Sequence, residues 1–181
     1  RYADGLAYLL RHGFVETSEG LAMDAAIGTF ELSDKLLAKE QELAAEGIVI
    51  RPFGRERLVE YLSFMVEQMP GPWLAQARSN LRELTFGRFP PEAIQLALAD
   101  DRIIGYCQFE AEHFGPFGVV DAWQGRGVGS LLLARTLYQM RVSGLHNAFV
   151  LWTGQRAAQG VYGRLGFTVP RRFAVLTREL G

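Results

Sequence analysis

Gln124-Gly125-Arg126-Gly127-Val128-Gly129 is the stretch that decides the fold of this 181-residue chain. Its three glycines, at every second position, stand between a strand-like segment ending at Asp121 and a helix-like segment beginning at Ser130. Glycine lets the backbone take turns that other residues resist, and it lets a ligand approach the chain closely. The first amides of a helix have no internal acceptors and carry a partial positive charge. We therefore predict a phosphate site at this turn.

Three other interpretations of the glycine-rich stretch can be weighed against the phosphate site. Glycines at a strand-to-helix turn can serve tight packing alone, and an isolated G-x-G-x-G pattern does not decide between the two. A Walker A loop needs a Lys before its Ser, and here Gly129 precedes Ser130. A Rossmann fingerprint needs G-x-G-x-x-G and an acidic residue at the end of the next strand, which Asn147–Thr153 lacks. Both nucleotide motifs fail in detail.

The composition is that of a globular domain, and it excludes several classes of function. The net charge is −1, so no basic field favours nucleic acid or an anionic membrane as a partner. No apolar stretch approaches the roughly 20 residues that span a bilayer. The single Cys107 cannot form an internal disulfide and is expected to be a packing residue, and no Cys/His cluster has metal-ligand spacing. These features predict a cytoplasmic protein without a bound metal.

Hydrophobic periodicity and turn residues predict an alternating α/β order from Ile48 onward. The order is β-α-α-β-β-β-α-β-α-β, which is typical of one α/β domain. The predicted segments are Ile48–Phe53, Arg55–Met69, Trp73–Leu84 after a break at Pro70-Gly71-Pro72, Ala93–Ala99, Arg102–Glu112, a strand ending in Gly118–Asp121, Ser130–Val142, Asn147–Thr153, Gln155–Leu165 and Phe173–Leu180.

The first 47 residues precede this alternating pattern. Residues 1–32 have a helix-like start at Ala3–Arg11 and strand content at Leu21–Leu32. Residues 33–47 are predicted to form a helical linker, with Ser33 or Asp34 as its N-cap and Gly47 at its C-terminal end.

Two short segments, one near each end of the chain, are similar in sequence. Leu9-Leu10-Arg11-His12-Gly13-Phe14 can be laid over Tyr162-Gly163-Arg164-Leu165-Gly166-Phe167, with matches at the Arg, Gly and Phe positions. The match is either a coincidence or a sign that residues 1–32 are the tail of a preceding, related domain. On the second interpretation Leu9 stands where Tyr162 stands, so the earlier copy lacks that phenol.

From Ile48 to the C-terminus the chain resembles the GNAT superfamily of acyl-CoA-dependent N-acetyltransferases. Gln124-x-x-Gly127-x-Gly129 matches the (Arg/Gln)-x-x-Gly-x-(Gly/Ala) loop of that family, and Tyr162-x-x-x-Gly166-Phe167 matches its Tyr-x-x-x-Gly-Phe segment. The two motifs occur in the family's order, with a helix and a strand between them. The resemblance implies a GNAT domain at 48–181, with a mixed central sheet flanked by helices, preceded by the remnant or tail of a second such domain.

The resemblance also implies acetyl-CoA as the co-substrate and assigns roles to residues. The glycine-rich loop would hold the pyrophosphate, and the end of the strand before it would lie along the pantetheine arm and polarise the thioester carbonyl. Tyr162 would donate a proton to the leaving thiolate. Many relatives carry an Asn seven residues before that Tyr; Gln155 keeps the amide here at a longer reach. The implied co-substrate contacts are Gly118, Val119, Val120, Gln124, Gly125, Arg126, Gly127, Val128, Gly129, Ser130 and Gln155.

The acceptor side of the reaction has weaker signals. An attacking amine must be neutral, so a base or a water relay must take its proton. Glu110 and Glu112 are candidate bases because alternate residues of a strand share one face. Exposed charges at a sheet end are the alternative interpretation for both. In this architecture acceptor specificity comes from the two helices after the first strand, here Arg55–Leu84, and their residues name no substrate.

The resemblance therefore implies direct transfer of an acetyl group from acetyl-CoA to a primary amine of a small molecule or peptide. The transfer would occur in a ternary complex, without a covalent enzyme intermediate. The alternative is a non-catalytic acyl-CoA-binding or structural module of a tandem GNAT protein. A homodimer is compatible with both, and neither nucleic acid nor a membrane is an expected partner.

Overall fold

The computed structural model describes residues 2–69 and 71–179. They divide into two compact units, one of residues 26–69 and 71–148 and one that combines residues 2–25 with 149–179. In chain order the elements are α1 (Tyr2–Arg11), β1 (Val15–Ala26), α2 (Asp34–Ala45), β2 (Ile48–Pro52), α3 (Leu58–Gln68), α4 (Pro72–Thr85), β3 (Ile94–Ala99), β4 (Arg102–Glu110), β5 (His113–Val119), α5 (Val128–Val142), β6 (Asn147–Thr153), α6 (Gln155–Ala157) and β7 (Thr168–Thr177).

The larger unit contains an antiparallel sheet in the order β2-β3-β4-β5. All of β3 and nearly all of β4 are buried, as expected for central strands that are covered on both faces. Asp100 and Asp101 join them with positive φ angles of 47° and 65°, the backbone of a tight two-residue hairpin. Helix α5 packs against β3 and β4, and α2 packs against β2 and α5.

The smaller unit is built on the antiparallel pair of β1 and β7, with β6 on the other side of β1. Its two hexads that resemble each other in sequence also end in the same way. Gly13 and Gly166 both take left-handed φ angles, 82° and 88°. In each hexad the N–H of the closing Phe donates to the carbonyl of the first residue at 3.2 Å, Phe14 to Leu9 and Phe167 to Tyr162. The hypothesis that residues 1–32 derive from a preceding domain stays a prediction.

The predicted α/β order from Ile48 is confirmed, and Ser33 is the N-cap of α2 as expected. Several boundaries were wrong. Strand β7 begins at Thr168 rather than Phe173, because its first residues pair with β1, a long-range partner that periodicity does not show. Its predicted end at Leu180 lies outside the described residues, as does Pro70 of the predicted helix break.

The N-terminal strand was also misplaced, since β1 begins at Val15 and ends at Ala26 rather than spanning Leu21–Leu32. The predicted helix Gln155–Leu165 is irregular. It passes from α6 into a π-helical turn at Ala158–Tyr162 and then a 3₁₀ turn at Gly163–Leu165. Within the described ranges, no helix has both the length and the apolar character needed to cross a membrane.

Candidate functional site

The glycine-rich turn forms an open cradle at the start of α5. Gly125 and Gly127 have φ angles of 76° and 90°, in the left-handed region that favours glycine. Gly127 is the N-cap of α5, and no side chain caps this end of the helix. The N–H groups of Val128, Gly129 and Ser130 lie in the first turn, where a helix offers no internal acceptors. A set of convergent donors at the positive end of a helix dipole suits an anion.

The side chains of the cradle are engaged with their neighbours. Gln124 Nε2 donates to the carbonyl of Val119 at 3.0 Å and to Asp121 Oδ1 at 2.8 Å, which closes the turn before the cradle. A direct contact between Gln124 and a phosphate therefore requires one of these bonds to break. The guanidinium of Arg126 lies 4.7 Å from the ring centroid of Trp123, a cation–π contact that holds both side chains against the loop.

Strand β5 leads into the cradle and is closely covered at Gly118. Gly118 pairs with Tyr106 of β4. A Cβ atom at Gly118 would lie 2.5 Å from Cε of Met69 and 3.6 Å from Cζ3 of Trp73, so the position admits no side chain without movement. The N–H of Val120 donates to the carbonyl of Ile104 at 2.9 Å, so this donor is already used within the fold.

Tyr162 belongs to the smaller unit and lies at the end of the π-helical turn. Its side chain is buried, and its ring centroid is 5.7 Å from that of Phe167. π-Helical turns inside helices occur frequently at functional sites. The family motif predicted a functional role for Tyr162. The sequence predicted a regular helix over this segment, and nothing in it indicated the π-helical turn.

Gln155 lies in the same unit at the start of α6 and is held by a charged partner. Its Nε2 donates to Glu19 Oε2 at 2.5 Å, and Arg172 Nη1 donates to the same carboxylate at 3.1 Å. The hydrogen bond from Arg172, followed by that from Gln155, lowers the pKa of Glu19 below its ordinary value. The amide predicted to contact the co-substrate is thus part of a surface network in this structure.

Glu110 and Glu112 do not share one face of a strand, so that prediction was wrong. Strand β4 ends at Glu110, and Ala111 has a φ angle of 48°, so Glu112 lies in the turn to β5. Glu112 Oε1 accepts a hydrogen bond from Asn147 Nδ2 at 3.0 Å, and Glu110 pairs across the hairpin with His113. Burial lowers the pKa of His113, and the charge of Glu110 acts in the opposite direction. Glu110 is therefore positioned by the end of a strand, and Glu112 by the hairpin turn that follows it.

Buried polar side chains under α3 and α4 were missed by the sequence reasoning. Tyr61 of α3 and Tyr106 of β4 are fully buried, with ring centroids 6.2 Å apart, and burial raises the pKa of both phenols. Their hydroxyls have no hydrogen-bond partner in the described part of the chain, and neither do two other buried atoms, Asn80 Nδ2 and Gln108 Oε1. Tyr106 and Gln108 are two residues apart on β4, so they lie on the same face of the strand. This spacing was the signal in the sequence that could have indicated a polar face.

Cys107 is buried on β4, as expected of a packing residue. Burial raises the pKa of its thiol to about 12, with a smaller opposing effect from its hydrogen bond with Thr136. The thiol is therefore neutral and shielded at neutral pH, which is unsuited to a nucleophile. Over the described ranges, no group of three or more His, Cys, Asp and Glu side chains could hold a metal ion.

A surface groove runs along α3 and reaches α4. Its volume is about 320 Å³, and it is lined by Val59, Leu62, Ser63, Val66, Glu67 and Arg78. Val59 and Val66 are among the exposed large apolar side chains of the described residues. The groove contains none of the residues predicted to bind a co-substrate or to act in catalysis.

One family model matches an interval of the chain that contains both motifs. Residues 90–169 match the sequence model described as acetyltransferase (GNAT) domain, an interval that contains the cradle and Tyr162. No curated protein sequence matches the chain.

Solved structures share the fold of the chain. The GCN5-related glucosamine N-acetyltransferase region of a fungal multi-domain GH3 β-N-acetylglucosaminidase has a TM-score of 0.76 and 16% identity over 96% of this chain and 22% of that one. A GCN5-related N-acetyltransferase from Sphaerobacter thermophilus has a TM-score of 0.69 and 22% identity, over 96% of this chain and 55% of that one. A GNAT-family acetyltransferase from Colwellia psychrerythraea has a TM-score of 0.63 and 17% identity, over 93% of this chain and 59% of that one. The chain thus spans less than two thirds of each, and identities this low support the fold alone.

Proposed function

We propose that this chain, which belongs to the GNAT superfamily through its acetyltransferase domain at residues 90–169, is an N-acetyltransferase that uses acetyl-CoA. The acetyl group moves directly to a primary amine of a small molecule or peptide, in a ternary complex. The lone, buried Cys107 supports a reducing, cytoplasmic setting for the enzyme.

The backbone turn from Gly125 to Ser130, inside the matched family interval, is the observation that carries this proposal. A Cβ atom at Gly125 would meet no other atom within 4 Å, so that side of the turn is open to a ligand. The amides at the start of α5 offer donors where the helix dipole favours negative charge. These residues fit a diphosphate. When bound, acetyl-CoA supplies the acetyl group and a thiolate leaving group.

The proposed reaction needs two proton movements. The nitrogen lone pair of the acceptor attacks the thioester carbon, and the carbon–sulfur bond breaks as the acetyl group moves to nitrogen. We assign Tyr162 Oη as the donor of the proton that the leaving sulfur takes up. The proton of the amine passes to Glu110 or Glu112, directly or through water. Gly118, Val119 and Val120 lie along the pantetheine arm in this proposal.

The positions of Glu110 and Glu112 favour a second candidate function. Glu112 lies in a turn and is bound to Asn147. The structure therefore supports a general base less well than it supports a site for the co-substrate. A module that binds acyl-CoA without turnover, next to a related domain that supplies residues 1–32, would keep the cradle and need no base. The repeated helix ending at Phe14 and Phe167 supports that tandem origin.

An amine panel with acetyl-CoA separates these functions. The panel contains glucosamine, because one structural neighbour is described as a glucosamine N-acetyltransferase region, together with a polyamine, free amino acids and a peptide with a free N-terminus. Free thiol release is followed with and without each amine, and products are weighed by mass spectrometry. Amine-dependent release with at least one acceptor is expected. Binding of acetyl-CoA without turnover on any amine would favour the module, and failure to bind would reject both functions.

A further inference from the structure

Lys39 of α2 lies directly over the cradle. A Cβ atom built on Gly127 would be 2.6 Å from Cε of Lys39, 3.5 Å from its Cγ and 3.6 Å from its Cδ. The methylene chain of Lys39 therefore packs against Gly127, the N-cap residue of α5, immediately before the first amides of that helix. Lys39 is 88 residues before Gly127 and lies outside the matched family interval, so no motif assigns it to the site.

Two ion pairs hold α2 in this position. Arg135 of α5 donates to Glu40 through two nitrogens, with 2.8 Å between Nε and Oε1. Arg126 of the cradle pairs with Glu46, the C-cap residue of the helix. A two-point Arg–carboxylate contact fixes orientation as well as distance. Helix α2 is thus fastened to α5 at Glu40, next to Lys39, and to the cradle at Glu46, which is more than a linker requires.

The ammonium of Lys39 has a partner that a phosphate can replace. Nζ lies 2.7 Å from Glu42 Oε1, and that carboxylate side chain is 58% exposed. Exposed ion pairs of this kind contribute little because both groups remain well solvated. A phosphate at the cradle carries more negative charge and meets the amides of α5 as well as the ammonium.

We infer that Lys39 is a phosphate-binding residue of the co-substrate site, contributed by α2 from outside the acetyltransferase motif. This inference rests on the proposed function. On binding, the ammonium leaves Glu42 and pairs with a phosphate group of coenzyme A. The pyrophosphate and the 3′-phosphate have the same recognition chemistry, and 3′-dephospho-coenzyme A distinguishes them because it lacks only the second.

The lysine content of the chain allows a direct test. Only Lys35 and Lys39 are present, both on α2, and Lys35 lies one helical turn earlier with an exposed side chain. The full chain is labelled with an amine-selective reagent, with and without saturating coenzyme A, and each lysine is quantified by peptide mass spectrometry. Coenzyme A should reduce labelling of Lys39 about fivefold or more and leave Lys35 unchanged, since direct pairing with phosphate masks the amine. Equal protection of both, or of neither, while calorimetry shows binding, overturns the inference.

A pair of variants gives an independent measurement. Lys39→Met keeps the methylene chain over Gly127 but removes the charge, and Lys35→Met is the matched control. Lys39→Met should raise the Kd for coenzyme A about tenfold, the loss of one charge-assisted contact. If 3′-dephospho-coenzyme A shows the same ratio, the partner is the pyrophosphate; if the ratio falls to one, it is the 3′-phosphate. Equal Kd values for Lys39→Met and Lys35→Met would reject the role of Lys39 and leave the proposed function in place. Absence of binding to the wild type would reject the proposed function first.

Discussion

The cradle at 124–130 and the segment at 155–167 carry the two family motifs, but they are formed in different ways. At the cradle, the positive φ angles belong to Gly125 and Gly127, two glycines separated by one residue in the sequence. In the second segment, Gln155 is bound to Glu19 of β1, and the helix changes type on the way to Tyr162. One motif is determined by local backbone chemistry, and the other by strands that come from both ends of the chain.

The difference indicates which proposed roles depend on local backbone and which depend on distant packing. A helix start preceded by glycines presents its amides whatever packs around it. A phenol that donates a proton must also be held at the right place, which depends on packing from distant parts of the chain. Substitutions should therefore affect binding when made at the cradle and turnover when made at Tyr162.

Removal of the Tyr162 hydroxyl should have the largest effect. Tyr162→Phe keeps the ring contact with Phe167 and removes the proposed proton donor, so kcat should fall about 100-fold with little change in the KM for acetyl-CoA. Tyr8→Phe, an exposed tyrosine of α1 in the same unit, is the control and should leave both constants unchanged. Steady-state kinetics by thiol release measure the effect. An unchanged kcat for Tyr162→Phe would remove the proposed role.

Gly127→Ala should act on binding instead. Alanine at a φ of 90° is strained by about 1–2 kcal/mol, and its Cβ would meet Lys39 at 2.6 Å. We expect the Kd for acetyl-CoA to rise about 20-fold as the cradle distorts.

Gly144→Ala is the matched control for Gly127→Ala. Gly144 has a φ of 87° just after the other end of α5, and a Cβ there would meet no atom within 4 Å. Both variants should lose comparable stability in thermal unfolding, but only Gly127→Ala should lose affinity in calorimetry. Equal affinity for the two variants would mean that the cradle serves packing.

The candidate bases can be separated by the activity of their Gln variants. We expect a Gln variant of the true base, Glu110 or Glu112, to lower kcat/KM about tenfold, since water replaces the carboxylate only in part. In Glu112→Gln the amide oxygen can still accept the hydrogen bond from Asn147. A lower kcat/KM for this variant would therefore reflect the loss of the base rather than a change in folding. If both variants keep the kcat/KM of the wild type, neither carboxylate is the base.

The smallest effect concerns stability in acid. Because the pKa of Glu19 is lowered from 4.5 in the fold, its stabilisation is present above that ordinary value and is lost as pH falls through the lowered pKa. Glu19→Gln and Arg172→Gln should each flatten the fall in unfolding temperature between about pH 5 and pH 2. The double variant should add little to either single change, because both remove one interaction. Additive effects would mean that the pair at 3.1 Å does not act as a unit.

Local signals in the sequence were sufficient for the cradle, the hairpin at Asp100-Asp101 and the order of elements from Ile48. Each depends on glycine, aspartate or periodicity within a few residues. Contacts between distant residues left no such signal. Lys39 over Gly127, the pairing of β7 with β1 and the bond from Gln155 to Glu19 appear only once the chain is folded. Glu112 lies outside the strand because Ala111 takes a left-handed φ angle, which an alanine in the sequence does not indicate.

The central claim is that the cradle binds coenzyme A rather than another diphosphate ligand. Calorimetric titration of the wild-type chain with acetyl-CoA, and separately with NAD, tests it most directly because both ligands contain a pyrophosphate. We predict saturable binding of one acetyl-CoA per chain and no heat of binding with NAD at the same concentrations. Binding of NAD with no binding of acetyl-CoA, or binding of neither, would contradict the assignment of this site.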